Sequence, residues 1–154
     1  MTDPSTAPPW WLIAVVFPVA FAALWAAVCF LISVLSGWSR LARHFATDAP
    51  PSGTFFRMQT AHLGWSSYRN CLNLAAVPDG LFLWPLWPFR VGHARLFVPW
   101  GDLTAAPDRI LFLPCIALAF ARVPRLRLRV RTKLGARLVA ESGGALGLVD
   151  RLPQ

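Results

Sequence analysis

The stretch from Trp10 to Leu35 contains no charged residue, and that run limits the possible folds more than any other feature of the chain. A helix that crosses a bilayer needs roughly 20 apolar residues, so the run can span with some tilt. Trp10 and Trp11 stand at one end and Trp38 at the other. At ~1.5 Å per residue, Trp11 to Trp38 covers about 40 Å. That matches the separation of the two headgroup layers, where Trp rings prefer to lie. The sequence therefore predicts a transmembrane helix over residues 10–36, with Trp10, Trp11, Trp38, Arg40 and Arg43 as its interface anchors. Pro18 falls early in the run, a break that membrane helices tolerate.

A cleaved signal peptide fits these residues poorly. The opening MTDPSTAPP carries an acid and no base, whereas a signal peptide begins with a basic region and has a shorter apolar core. Cys29 after Ala26-Ala27-Val28 has the outline of a lipoprotein cleavage site, but it lacks that basic start. All 15 Lys and Arg residues lie at or beyond Arg40. The positive-inside rule then places residues 1–9 outside as an extracytoplasmic tail and the rest of the chain in the cytoplasm. Composition agrees: 56% of residues are hydrophobic and 14% charged, against about 25% charged in a soluble domain. Cys71 and Cys115 are expected as free thiols in a reducing compartment.

Residues 37–53 read as a juxtamembrane linker, ending in the Pro/Gly/Ser/Asp cluster ATDAPPSG. Residues 54–145 then form a β domain. Thr54 to His62 alternates, and Tyr68 to Val77 puts Leu72, Leu74 and Ala76 on one face with Asn73 on the other. Pro78-Asp79-Gly80 is a turn signal that leads into a second arm from Gly80 to Trp84. Arg95 to Trp100 is a fourth strand, and Ala105 to Asp108 reads as a turn. The apolar run Ile110 to Ala121, broken by Pro114, reads as two buried strands meeting at a bulge. In the next strand Arg125, Arg127, Arg129 and Arg131 point one way, while Leu126, Leu128 and Val130 point the other. Thr132 is the expected N-cap of a short terminal helix that Gly135 weakens and Gly143-Gly144 end. A tail over 146–154 follows. The fold class is α+β: one transmembrane helix, about six or seven antiparallel strands and a short C-terminal helix.

That order, with Asp79-Gly80-Leu81-Phe82-Leu83 and Phe97-Val98-Pro99-Trp100-Gly101-Asp102-Leu103, resembles the bacterial pleckstrin-homology-like and GRAM-like domains over residues 54 to about 142. The resemblance implies a small bacterial inner-membrane protein, with one anchor and a PH-like β domain. It carries over no catalytic residue and no headgroup signature.

Motifs for chemistry are sparse. Asp79, Asp102 and Asp108 fall in expected turns, where Asp ordinarily caps backbone N–H groups. His44, His62 and His93 are scattered, and no Cys-x-x-Cys or His-x-x-x-His spacing occurs, so no metal or cofactor is expected. Cys71 and Cys115 lie in strand interiors, where Cys is usually an inert small hydrophobe. The expectation is a protein without enzymatic activity.

Two surfaces stand out as contacts. Arg125, Arg127, Arg129, Arg131 and Lys133 lie in a stretch without acids. They would meet anionic lipid headgroups at roughly 1 kcal/mol per base, or else form the solvated face of an edge strand protected by its charges. Leu and Val interleave the Arg residues instead of aromatics, so nucleic acid is a poor partner for them. Trp84, Trp87, Phe89 and Arg90 have the composition of a loop that dips into an interface, or of rings that cover the domain's own core. The function expected is a membrane-anchored binding or scaffold module whose partners are the bilayer and anionic lipids or a membrane protein. The alternative is an accessory subunit of a larger membrane complex, packed through Ala20, Ala22, Ala23, Ala26 and Ala27.

Overall fold

The structure is a computed structural model that describes residues 9–150. Most of the expected tail over 1–9, and residues 151–154 of the tail over 146–154, lie outside the described residues. Helix α1 runs Trp10–Ser36 and α2 Trp38–Phe45; the strands are β1 Thr54–Leu63, β2 Ser66–Val77, β3 Gly80–Pro85, β4 Leu96–Pro99, β5 Leu103–Ile110, β6 Leu113–Phe120 and β7 Val123–Arg131, followed by α3 Thr132–Glu141. All seven strands join one curled antiparallel sheet in the order β4-β3-β2-β1-β7-β6-β5. The α+β layout is as the sequence predicts.

The burial pattern of α1 is inverted relative to a helix of a soluble protein. Its buried residues are Cys29, Ser33 and Ser36, while nearly every large apolar side chain from Trp10 to Leu35 is exposed. A helix in water hides its apolar stripe; this one hides small and polar groups and shows the apolar ones. It is long and apolar enough to cross a membrane, with a mean hydropathy of 2.6 over its most apolar window.

Gly37 separates α1 from α2 in the left-handed conformation, at φ 88°. A Cβ here would also stand 2.9 Å from Leu126 Cδ1, so the bend requires glycine for both reasons. Beyond the bend, Trp38, Leu41 and Phe45 are buried in the same core cluster as Leu63, Leu72, Leu83, Leu118 and Leu128. The segment expected as a linker over 37–53 is therefore part of the domain over its first half. Ala46 then bridges Leu96, and the Thr47 N–H donates to the Arg95 carbonyl. The expected anchor Trp38 is a core residue, 1% exposed, whose indole N–H donates to the Ala94 carbonyl. Trp38, Leu41 and Phe45 share the buried face of α2, and the indole N–H keeps a hydrogen-bond partner there.

Three other expectations are overturned. Ala105 to Asp108 is strand, because β5 is an edge strand and tolerates Pro107. The turn between β5 and β6 is instead Leu111-Phe112, with Leu111 at φ 57°. Residues 146–149 are not a loose tail: Leu146 is buried, Leu148 bridges Ala105 and the Val149 N–H donates to the Ala105 carbonyl. Thr132 is the first residue of α3, and its hydroxyl bonds the Pro114 carbonyl instead of capping the helix. Gly135 has a packing role, since a Cβ there would lie 2.6 Å from Ile116 Cδ1, so its absence lets α3 close on β6.

Candidate functional site

The first surface is the outer face of the sheet around β7. Leu126, Leu128 and Val130 are buried, and the alternating Arg side chains project away from them. β7 pairs with β1 on one side and β6 on the other, which removes the edge-strand reading. Small residues oppose the arginines: Ala119 pairs with Arg127 and Ala117 with Arg129. Ala106, Ala117 and Ala119 form a small buried cluster of their own.

Two acids are paired with bases, Asp108 beside β7 and Asp102 near the α2 end of the domain. Arg129 Nε donates to Asp108 Oδ2 at 2.6 Å, and Arg122 Nε to Asp102 Oδ2 at 3.3 Å. Of the acids expected to cap backbone N–H groups, Asp102 holds an arginine, and Asp108 does both, accepting the Arg109 N–H as well as Arg129. Burial alone would raise the Asp108 carboxyl. The hydrogen bond from Arg129, the Arg109 N–H and the charges of Arg129 and Arg127 outweigh it and hold the group below its ordinary range. Arg125, Arg131 and Lys133 are exposed and carry no ion pair among the described residues. Beside them, burial and then Arg69 and Arg129 push the His62 imidazole downward. The net surface is cationic even after the Asp108 carboxylate is counted.

The second surface is the loop from Leu86 to Ala94, and the structure assigns it a partner that sequence reasoning missed. Its 3-10 turn, Trp87–Phe89, lies against α1. The Trp25 indole N–H donates to the Pro88 carbonyl at 2.8 Å, and the Trp25 and Phe89 rings are 5.4 Å apart. Further along α1, the Ser33 hydroxyl donates to the Gly92 carbonyl. Of the four residues expected in this loop contact, Trp87, Phe89 and Arg90 belong to it. Trp84 does not: it stays on β3, its ring edge against Phe55 at 6.2 Å.

A buried polar chain fixes the junction. The Ser36 hydroxyl lies 2.8 Å from the Tyr68 oxygen, which lies 3.0 Å from His93 Nε2; His93 Nδ1 lies 3.0 Å from the Val91 carbonyl. A carbonyl only accepts, so Nδ1 holds the ring proton and Nε2 accepts from Tyr68. Burial lowers the His93 imidazole, opposed by its bond to Val91, and pushes the Tyr68 phenol up to about 12, opposed by its bond to Ser36. The neutral chain joins α1, β2 and the loop. Burial also raises the Cys71 and Cys115 thiols, which favours their protonated form. Among the described residues no group of three His, Cys, Asp or Glu side chains converges as a metal site would require.

Trp10 and Trp11 are exposed at the start of α1, and Arg40 and Arg43 are exposed on α2. Comparison with known protein families, with curated proteins and with solved structures found no match for this chain.

Proposed function

We propose that this chain is a membrane-anchored, non-enzymatic binding module, with α1 spanning the bacterial inner membrane and a PH-like β domain on its cytoplasmic side. The observation that carries the reading is the seating of the anchor. Trp38, Leu41 and Phe45 lie in the domain core, and α1 is bonded to the loop at Trp25 and Ser33 and to Tyr68 of β2 at Ser36. A domain held this way keeps one attitude to the bilayer. Its exposed bases then stay within reach of the headgroups without any ordering cost at each encounter. The strand order and terminal helix support the PH-like reading; the bases following α1 support the orientation.

In this reading Arg125, Arg131 and Lys133 contact anionic headgroups, and Arg127 and Arg129 add their field. The test uses the full chain in nanodiscs of neutral or anionic lipid, with a nitroxide at Thr132→Cys after Cys29, Cys71 and Cys115 are changed to Ala. Relaxation by headgroup-bound nickel should rise in anionic lipid, fall with salt and return to the neutral-lipid value in R125Q/R131Q/K133Q. Equal relaxation in both lipids at every salt concentration would sink the lipid reading and leave a protein partner for this face. Orientation is checked separately: a thiol at Ser52→Cys should label only after cells are opened.

A further inference from the structure

The loop over 86–94 is packed against the half of α1 that the anchor reading places in the membrane. Trp25 is eleven residues before Ser36, or ~16 Å along a helix at ~1.5 Å per residue. Its contact with Pro88 therefore draws the loop well above the end of the span. Irregular backbone survives at membrane depth only if its polar groups are paired within the protein. Most of this loop's carbonyls and half of its N–H groups meet that requirement. The carbonyls of Leu86, Trp87 and Arg90 accept backbone N–H groups from Phe89, Arg90 and His93. Those of Pro88, Val91, Gly92 and Ala94 accept side-chain donors from Trp25, His93, Ser33 and Trp38. The Leu86 N–H donates to the Cys71 carbonyl, and Pro88 has no N–H to satisfy.

Between this loop and α1 runs an open groove of about 860 Å³. Ala22 and Ala26, one turn apart, form its floor; Phe21, Trp25 and Trp87 are its apolar walls. Arg90 is the only charged residue lining it, is exposed and carries no ion pair among the described residues. Trp87 is 80% exposed beside it. In the anchor reading the solvent around such a groove is acyl chain, and the only fixed charge at its rim among the described residues is a cation.

We infer that the groove between α1 and the loop over 86–94 is a phospholipid site, which takes an acyl chain along Ala22 and Ala26 and the phosphate of an anionic headgroup on Arg90. This rests on the reading of α1 as a membrane span and adds a second lipid contact, independent of the basic sheet face. The long Arg90 side chain reaches toward the headgroup region while its stem stays among apolar groups. Its guanidinium pairs the phosphate in the forked geometry that favours arginine at such sites.

The experiment is native mass spectrometry of the full-length protein, released from micelles containing phosphatidylglycerol or phosphatidylcholine with the same acyl chains. The wild type should retain one phosphatidylglycerol in preference to phosphatidylcholine, by roughly tenfold if one charged hydrogen-bonded contact sets the difference. Arg90→Gln should erase the headgroup preference while leaving some retention of both lipids. Ala26→Phe, which fills the floor, should lower retention of both. Both substitutions fall outside the buried core, and circular dichroism checks that each variant keeps its fold. R125Q/R131Q/K133Q should retain lipid as the wild type does. Loss of retention in that triple variant with no effect of Arg90→Gln or Ala26→Phe would overturn the groove and leave the basic-face reading standing. Retention of no lipid by the wild type overturns the groove outright.

Discussion

The loop over 86–94 and the hairpin tip over 110–113 both hold large apolar side chains in the open. Trp87 is 80% exposed and Phe112 95%. The loop, however, is tied to α1 and Trp38 through the carbonyls of Pro88, Gly92 and Ala94 and to β2 through the Leu86 N–H, whereas the tip is held by its own hairpin pair, Ile110 with Leu113. The loop follows a long connection whose shape tertiary bonds dictate. The tip is a two-residue turn whose first residue, Leu111, takes a left-handed conformation that a bulky side chain resists. Equal exposure thus has opposite origins: one region is fastened in place to present its aromatic rings, and the other is strained and locally made.

The largest effect should come from removing what the loop rests on. Trp38→Ala empties a core site and releases the Ala94 carbonyl, so it should cost about 3–5 kcal/mol in denaturant unfolding of the reconstituted protein. A cost near that of a surface change would mean that α2 is not part of the core. Next is Tyr68→Phe, which leaves Ser36 and His93 without their shared partner. It should cost about 1–3 kcal/mol while altering no apolar contact of the loop.

The same chain gives the loop a pH dependence that the tip lacks. The folded His93 imidazole is held below its ordinary value, so above pH ~6.5 it is neutral in both states and contributes nothing. As pH falls below ~6.5 the unfolded chain takes the proton first, and stability declines until the folded imidazole titrates too. His62 is also lowered and adds to that slope. His93→Gln should reduce the slope and leave His62's share; an unchanged slope would refute the assignment of neutral His93. At the tip the smallest effect is expected, with the opposite sign. Leu111→Asn relieves the left-handed strain and should raise stability by up to about 1 kcal/mol. A loss of stability there would show that the Leu111 side chain has a packing role.

The elements legible in the sequence are those with local signals. The uncharged run made α1 visible, Pro78-Asp79-Gly80 located the turn between β2 and β3, and the Arg/Leu alternation marked β7. The β5–β6 hairpin was displaced because its turn, Leu111-Phe112, has no turn residue, while Ala105 to Asp108 contains Pro and Asp inside an edge strand. Trp38 follows an apolar run and so reads as an anchor. The spacing of Trp38, Leu41 and Phe45 on one helix face was the signal that it belongs to a core. In the candidate site, Trp87, Phe89 and Arg90 could be read from composition. Their partner could not, because the Trp25 to Pro88 bond joins residues 63 positions apart.

The depth of the loop is the most direct test of the whole account. A nitroxide at Val91→Cys in the full chain, in nanodiscs and with Cys29, Cys71 and Cys115 replaced by Ala, would be compared with one at Phe112→Cys. Relaxation by oxygen reports lipid and relaxation by a water-soluble nickel chelate reports solvent. Position 91 should be oxygen-accessible and shielded from nickel, with a depth matching a label at Phe30→Cys, the residue that Gly92 packs against. A label at position 91 as accessible to nickel as one on the exposed segment at Ser52→Cys would contradict a loop seated in the leaflet against α1.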